Sequence, residues 1–267
     1  MDRTEEKRLT RFPIHDFRFT AFGLLLGFTA TLHAQTRGAE LAREQKPVYP
    51  AALSNAIAQG NVILIGRIDK NGTVQDAKAV FTTHEQFVEP TLTAVKAWVF
   101  RPALKNGQPI DIAANIVFPF RIKDDQGKNA GREIPSPALS ELAIFPADFY
   151  GMKSAPEGFP IRLGADPRLR VEIKIDLPPV ENARDVTIIV EAVSPTGRHV
   201  PVYEDKSKVP AKGPHTMHIF SVAVGKDWEE GIWMLRFQAD KRNAGTGQFW
   251  LARDPDRFDF AAALKKK

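Results

Sequence analysis

Between Ile112 and Ile122 apolar side chains fall on every second position: Ile112, Ala114, Ile116, Phe118, Phe120 and Ile122. That period predicts a strand with one buried face. Pro119 lies within it and has no N–H to give a ladder, which places the strand at a sheet edge. Upstream, Asn61 to Phe81 reads as two strands around Lys70-Asn71-Gly72, where Asn-Gly supplies the positive φ angles of a tight hairpin. Tyr49 to Gly60 suits a short helix closed by its glycine. Val88 to Trp98 suits a second helix, with Pro90 tolerated near the start and Leu92, Val95 and Trp98 along one face. Pro102 then forbids a helical continuation, and Asn106-Gly107 turns the chain toward the edge strand. The order is α-β-β-α-β, an antiparallel sheet with helices packed against it.

Beyond Lys123 the pattern changes. Residues 124–137 are polar and rich in turn formers, and read as a linker. In the second half, Leu169, Val171, Ile173, Ile175 and Leu177 alternate with Arg170, Glu172, Lys174 and Asp176. Similar short runs lie around Leu142, Val186, His199, His215, Ile232 and Gln248, with a turn expected from Asn243 to Gly247. About seven strands without a helix fit an all-β, immunoglobulin-like sandwich, with Trp233, Leu235 and Phe237 turned inward. The fold class is therefore α+β followed by all-β. The expected division is 1–34, 38–123, a linker at 124–137, a sandwich at 138–260, and a basic tail at 261–267.

Residues 1–34 alter the picture most. A charged stretch to Arg18 precedes an apolar run from Phe19 to Leu32 of about 14 residues, then His33-Ala34. As a helix that run spans roughly 21 Å, short of the ~30 Å of a hydrocarbon core. It reads as a signal peptide cut after Ala34, with an uncleaved inner-membrane anchor as the alternative. Either sends the chain out of the cytoplasm, to the periplasm on the first reading. The chain has no cysteine, which excludes disulfides, thiolate catalysis and zinc–thiolate sites. A formal charge of +5 is interleaved with acids except at Lys265-Lys266-Lys267, and no basic stripe with aromatics points to nucleic acid.

The first half resembles the C-terminal domain of the TonB family from Pro47 to Ile122. The resemblance is carried by Tyr49-Pro50-Ala51, Gly60, Asp69-x-x-Gly72-x-Val74, Ala94-Val95-x-x-Trp98-x-Phe100-Arg101-Pro102-Ala103, Gly107-x-Pro109 and Val117-x-Pro119-Phe120. It implies a periplasmic domain that pairs an edge strand with an extended peptide, in that family a segment of an outer-membrane receptor. The implied partner edge is Ala113 to Ile122, with Ala113, Asn115, Val117 and Arg121 as partner-facing positions. Tyr49, Pro50, Gly72, Trp98, Phe100, Arg101, Pro102 and Pro119 are then scaffold. Unlike energy transducers of that family, the chain has no Pro in the connector Gln35 to Lys46, and a second body follows the domain.

Candidate chemistry is thin. No Ser-centred elbow, P-loop or dinucleotide fingerprint is present. His215 and His218 suggest a metal, but three positions apart on a strand they face opposite sides. Asp254, Asp256 and Asp259 are oxygen ligands in a loop without the glycine and ligand density of a calcium loop. No catalytic residue, metal or cofactor is expected. The reading is a non-catalytic protein- or peptide-binding module, with an outer-membrane receptor among its candidate partners. Membrane contact would come only through an uncleaved N-terminal segment. Two alternatives stand: a membrane-anchored energy transducer for outer-membrane transport, and a secreted carbohydrate- or surface-binding protein.

Overall fold

The computed structural model describes residues 36–123, 131, 135–147, 158–164, 167–211, 214–255, 257–259 and 262–263. The N-terminal leader, most of the expected linker, Asp256 and most of the basic tail lie outside these residues. The described residues belong to one compact unit. Among the described residues no helix is long and apolar enough to cross a membrane.

The first elements, β1 (Thr36–Arg37) and β2 (Glu40–Arg43), arise where the sequence reads as a plain polar connector. Then come α1 (Ala51–Asn55), β3 (Gly60–Ile68), β4 (Val74–Thr82) and α2 (Val88–Lys96). Three short strands follow, β5 (Val99–Arg101), β6 (Ala103–Lys105) and β7 (Gln108–Ile110), and then β8 (Ile112–Phe120). The antiparallel sheet runs β4-β3-β8. β1 pairs with β6, and β2 with β5, so the connector is itself a pair of added strands. This pairing uses backbone groups, which impose no apolar period on the sequence.

The hairpin between β3 and β4 shows why Asp69 and Gly72 belong together. Asp69 Oδ1 accepts the N–H groups of Asn71 and Thr73, both at 2.9 Å, and Oδ2 accepts the Thr73 hydroxyl at 2.8 Å. Burial acts to raise the Asp69 pKa, but the hydrogen bonds from Thr73, Asn71 and Gln75 outweigh it and hold the carboxyl below its usual value. Gly72 has φ +80°, and a Cβ there would stand 1.9 Å from the Phe100 carbonyl oxygen. Phe100 N–H donates to Gly72 O at 2.8 Å, so the hairpin tip is tied to the segment that leaves α2.

The second half comprises β9 (Ala138–Ala147), β10 (Ile161–Arg162), β11 (Arg168–Asp176), β12 (Arg184–Val193), β13 (His199–Val209), β14 (His215–Ala223), β15 (Gly231–Ala239) and β16 (Arg242–Ala252). They form two sheets, β14-β11-β9 and β10-β16-β15-β12-β13. Three strands facing a five-stranded sheet, with late strands β15 and β16 beside β12, is an immunoglobulin-like arrangement. Leu169, Val171 and Ile175 of β11 and Trp233, Leu235 and Phe237 of β15 meet in the core, all at 0% exposure. Trp233 stacks on Trp228 with centroids 4.1 Å apart, and its Nε1–H donates to Glu229 O at 2.9 Å.

The expected turn at Asn243 to Gly247 is a correction. The chain reverses at Asp240 and Lys241, which have φ 48° and 64°, and Asn243 to Gly247 already belong to β16. Gly245 and Gly247 serve close approach. A Cβ on Gly245 would lie 2.4 Å from Ile63 Cδ1, and one on Gly247 2.7 Å from Leu142 Cδ2.

Where β13 meets β14, His218 is buried and its ring is fully engaged. Nδ1 lies 2.9 Å from Tyr203 Oη and 3.5 Å from Asp205 Oδ2; Nε2 lies 2.8 Å from Thr216 Oγ1 and 3.3 Å from Ser207 Oγ. A Ser–His–Asp set is present in outline, yet Nε2 is nearer Thr216 and the ring is shut from substrate. Burial lowers the His218 pKa, with Asp205 opposing. The unfolded chain therefore takes up this proton first, near pH 6.5, and the folded chain only at lower pH. Stability is expected to fall as pH drops from about 6.5 toward the depressed value. In thermal melts across that range His218→Gln should flatten the slope, and an unchanged slope would show that other groups set it.

Candidate functional site

β8 pairs with β3 in one unbroken register, from Ile112↔Ile68 to Phe120↔Gly60, and among the described residues no strand pairs with its other side. Ala113 N–H points outward and donates to Gly158 O at 2.9 Å. Alternation then turns the backbone groups of Asn115, Val117 and Pro119 outward as well. Pro119, which is exposed, thus lacks an N–H only where the sheet does not need one.

The side chains tell a different story from a strand with one buried face. Ile112, Ala114, Ile116 and Phe120 pack beneath the helices with Leu64, Phe87 and Val95, as their period requires. The opposite face is covered by the sandwich. Ala113 packs against Trp250, and Val117 lies against the sandwich core, which Ile63 of β3 also enters. Asn115 Oδ1 accepts the Gln248 N–H at 2.7 Å, and its Nδ2 donates to Gln248 O at 2.9 Å. Gln248 Nε2 in turn donates to Gly66 O and Ala114 O, both at 3.0 Å. Arg121 donates to Gly60 O at 2.7 Å and pairs with Asp176 of β11 at 2.6 Å. The side chains of Ala113, Asn115, Val117 and Arg121 are therefore engaged within the chain, and what β8 offers outward is backbone.

A groove of about 450 Å³ runs along that backbone from Ile112 to Val117. Its far wall is Ser140 to Leu142 of β9, itself the edge of a sheet, and Trp98 and Phe100 contribute apolar surface. Two strand edges thus border one slot. It can supply main-chain donors and acceptors to an extended segment and apolar contact to alternate side chains, the requirements of strand addition. A larger cavity of about 780 Å³ beside the β6–β7 hairpin carries Lys70, Lys105, Arg162 and Arg257 but also Asp111 and Asp259, and does not include β8.

The positions expected to be scaffold are placed as follows. Pro50 caps α1, and Tyr49 meets the edges of Phe87 and Phe120 with centroids 5.4 Å away in each case, while its hydroxyl donates to Ala58 O. Trp98 is buried and donates through Nε1 to Gln45 O at 2.8 Å; Phe100 is half-buried beside it. Arg101 is 69% exposed and pairs with Glu40 of β2 at 3.2 Å. Pro102 is half-buried at the break between β5 and β6. The residues that sequence patterns did not single out are Gly158 and Gln248. Gly158 has φ +86°, and a Cβ there would stand 2.3 Å from Ala113 O.

Among curated proteins no relative matches the chain. Among solved structures, an immunoglobulin-like protein from Pseudomonas aeruginosa is similar at 11% identity with a TM-score of 0.28, over 44% of this chain and 97% of that one. Residues 45–122, which build α1, α2 and the β4-β3-β8 sheet, match the family model of the Gram-negative bacterial TonB protein C-terminal.

Proposed function

We propose that this chain is an exported, non-catalytic protein-interaction protein that captures an extended peptide along the outer edge of β8. The observation that carries the reading is the outer edge of β8 beyond Ala113, which pairs with no strand among the described residues and lies beside a groove that follows the β8 backbone from Ile112 to Val117. The match to the TonB C-terminal family model supports it, because domains of that family bind proteins, including outer-membrane receptors. The periplasm is the compartment where such a receptor segment would be met, and the pattern of residues 1–34 reads as a signal peptide or an N-terminal anchor, either of which would export the chain. The domain division is 38–123 for the capturing part and 138–260 for the sandwich, which acts as the rigid back of the groove. Pairing of β1 and β2 with β6 and β5 takes up the connector, leaving little slack for a tether of the energy-transducing kind.

Val117 separates backbone pairing from packing. Val117→Pro removes an outward N–H at the same parity as Pro119, whereas Val117→Ala removes the packing and keeps the N–H. Immobilised full-length chain should retain outer-membrane or periplasmic proteins, the alanine variant should retain the same set, and the proline variant should lose them. Equal retention by the proline variant would remove the β8 edge from the mechanism.

A further inference from the structure

An exposed sheet edge accepts another strand unless something on it discourages pairing. Most long edges of this molecule carry such devices. β13 bears Pro201 and a run of charges from Glu204 to Lys206; β9 bears Glu141 and Pro146 and a register shift; β4 bears Lys78 and two shifts; β8 bears Pro119. β10 is only 2 residues long. β14 has none of these. Its 9 residues contain no Pro, Lys, Arg, Asp or Glu, and its register with β11 is unbroken from Arg168↔Ala223 to Asp176↔His215. Its outward side chains Met217 and Ile219 are 63% and 60% exposed.

We propose that β14 is the contact between two copies of this chain, joined antiparallel about a two-fold axis at His218. A second copy is the occupant that these residues fit. Pairing centred on His218 sets Met217 of one copy against Ile219 of the other, twice, and covers both exposed apolar side chains. The strand carries no formal charge, and the charges beside it are already balanced within the chain. Arg170 meets Glu172 at 2.6 Å and Lys174 meets Glu141 at 3.2 Å, so an identical face approaches without net repulsion. The product is one continuous sheet, β9-β11-β14 followed by its symmetry copy. This edge belongs to a different sheet from β8, so the contact stands apart from peptide capture.

Sedimentation of the full chain over a concentration series tests the association. A dimer is expected for the native chain, weakened at least about tenfold in Ile219→Lys, because symmetry places the substitution at the seam twice. A native chain that stays monomeric throughout, or a dimer indifferent to Ile219→Lys, would overturn the proposal. The absence of native cysteine makes the register testable too. Opposed positions lie about 4.5–5.5 Å apart between Cα atoms, within the span of a disulfide, whereas diagonal ones lie about 7–8 Å apart. Mixed Met217→Cys and Ile219→Cys chains should therefore cross-link with each other, and neither should do so alone. Self-linking of either variant to the same extent would discard the axis at His218.

Discussion

Replacing Trp98 with alanine is expected to lower the stability of the folded chain by about 3–5 kcal/mol, the usual cost of emptying a buried tryptophan site. The ring is 8% exposed and lies in the core beneath the β4-β3-β8 sheet, where it joins α2 to β5. Its Nε1–H also holds Gln45 O at 2.8 Å, so truncation releases the segment that leads from β2 to α1. Denaturant unfolding followed by circular dichroism reads the effect as a shift of the midpoint at constant slope. A near-native midpoint would show that the Trp98 site collapses around the loss and that the ring is not a keystone of this half.

Asn115→Ala should cost about 2–6 kcal/mol, which is large for the loss of a side chain from an edge strand. The reason is where its hydrogen bonds go. Both main-chain groups of Gln248, a residue 1% exposed, depend on the Asn115 amide, and each buried group left unpaired costs ~1–3 kcal/mol. Asn115→Asp distinguishes hydrogen bonding from packing. An ionised Asp keeps an acceptor for Gln248 N–H but turns its other oxygen toward Gln248 O, which raises the pKa of the new carboxyl in the folded state. The variant should therefore be least stable at neutral pH and regain stability as acid protonates it into a donor, the gain complete below the carboxyl's unfolded value near 3.9. A variant whose melting is indifferent to pH between about 4 and 7 would argue that the amide does not bridge the two halves.

The α-β-β-α-β order, the hairpin at Gly72 and the helix-facing side of β8 were legible because each leaves a local mark: a period of two, an Asn-Gly turn, a proline at a breakpoint. The second side of β8 was not. Ala113, Asn115 and Val117 look like the outward positions of a half-buried strand, since a small residue and a hydrogen-bonding amide can be buried without adding apolar weight. A sign of two covered faces was available in β3, where Val62, Ile63 and Leu64 follow one another without a polar position and all reach 0% exposure. Gly245 and Gly247 were ambiguous in a similar way. Glycine marks turns and close approaches alike, and only the partners Ile63 and Leu142 decide between them. For the candidate site, the sequence singled out β8, but the groove along that strand is completed by β9, across a stretch of chain where no local pattern links the two.

The seam between the sheet and the sandwich also governs how the halves would behave apart. A fragment severed within residues 124–137 would bare Ile63, Ala113 and Val117 together and leave Asn115 facing water instead of Gln248. Such a fragment would be adhesive over the surface that the sandwich normally covers. Proteins it collected from an extract would report that bared surface as much as the β8 edge, so a nicked preparation would bind through a face that the intact chain keeps covered.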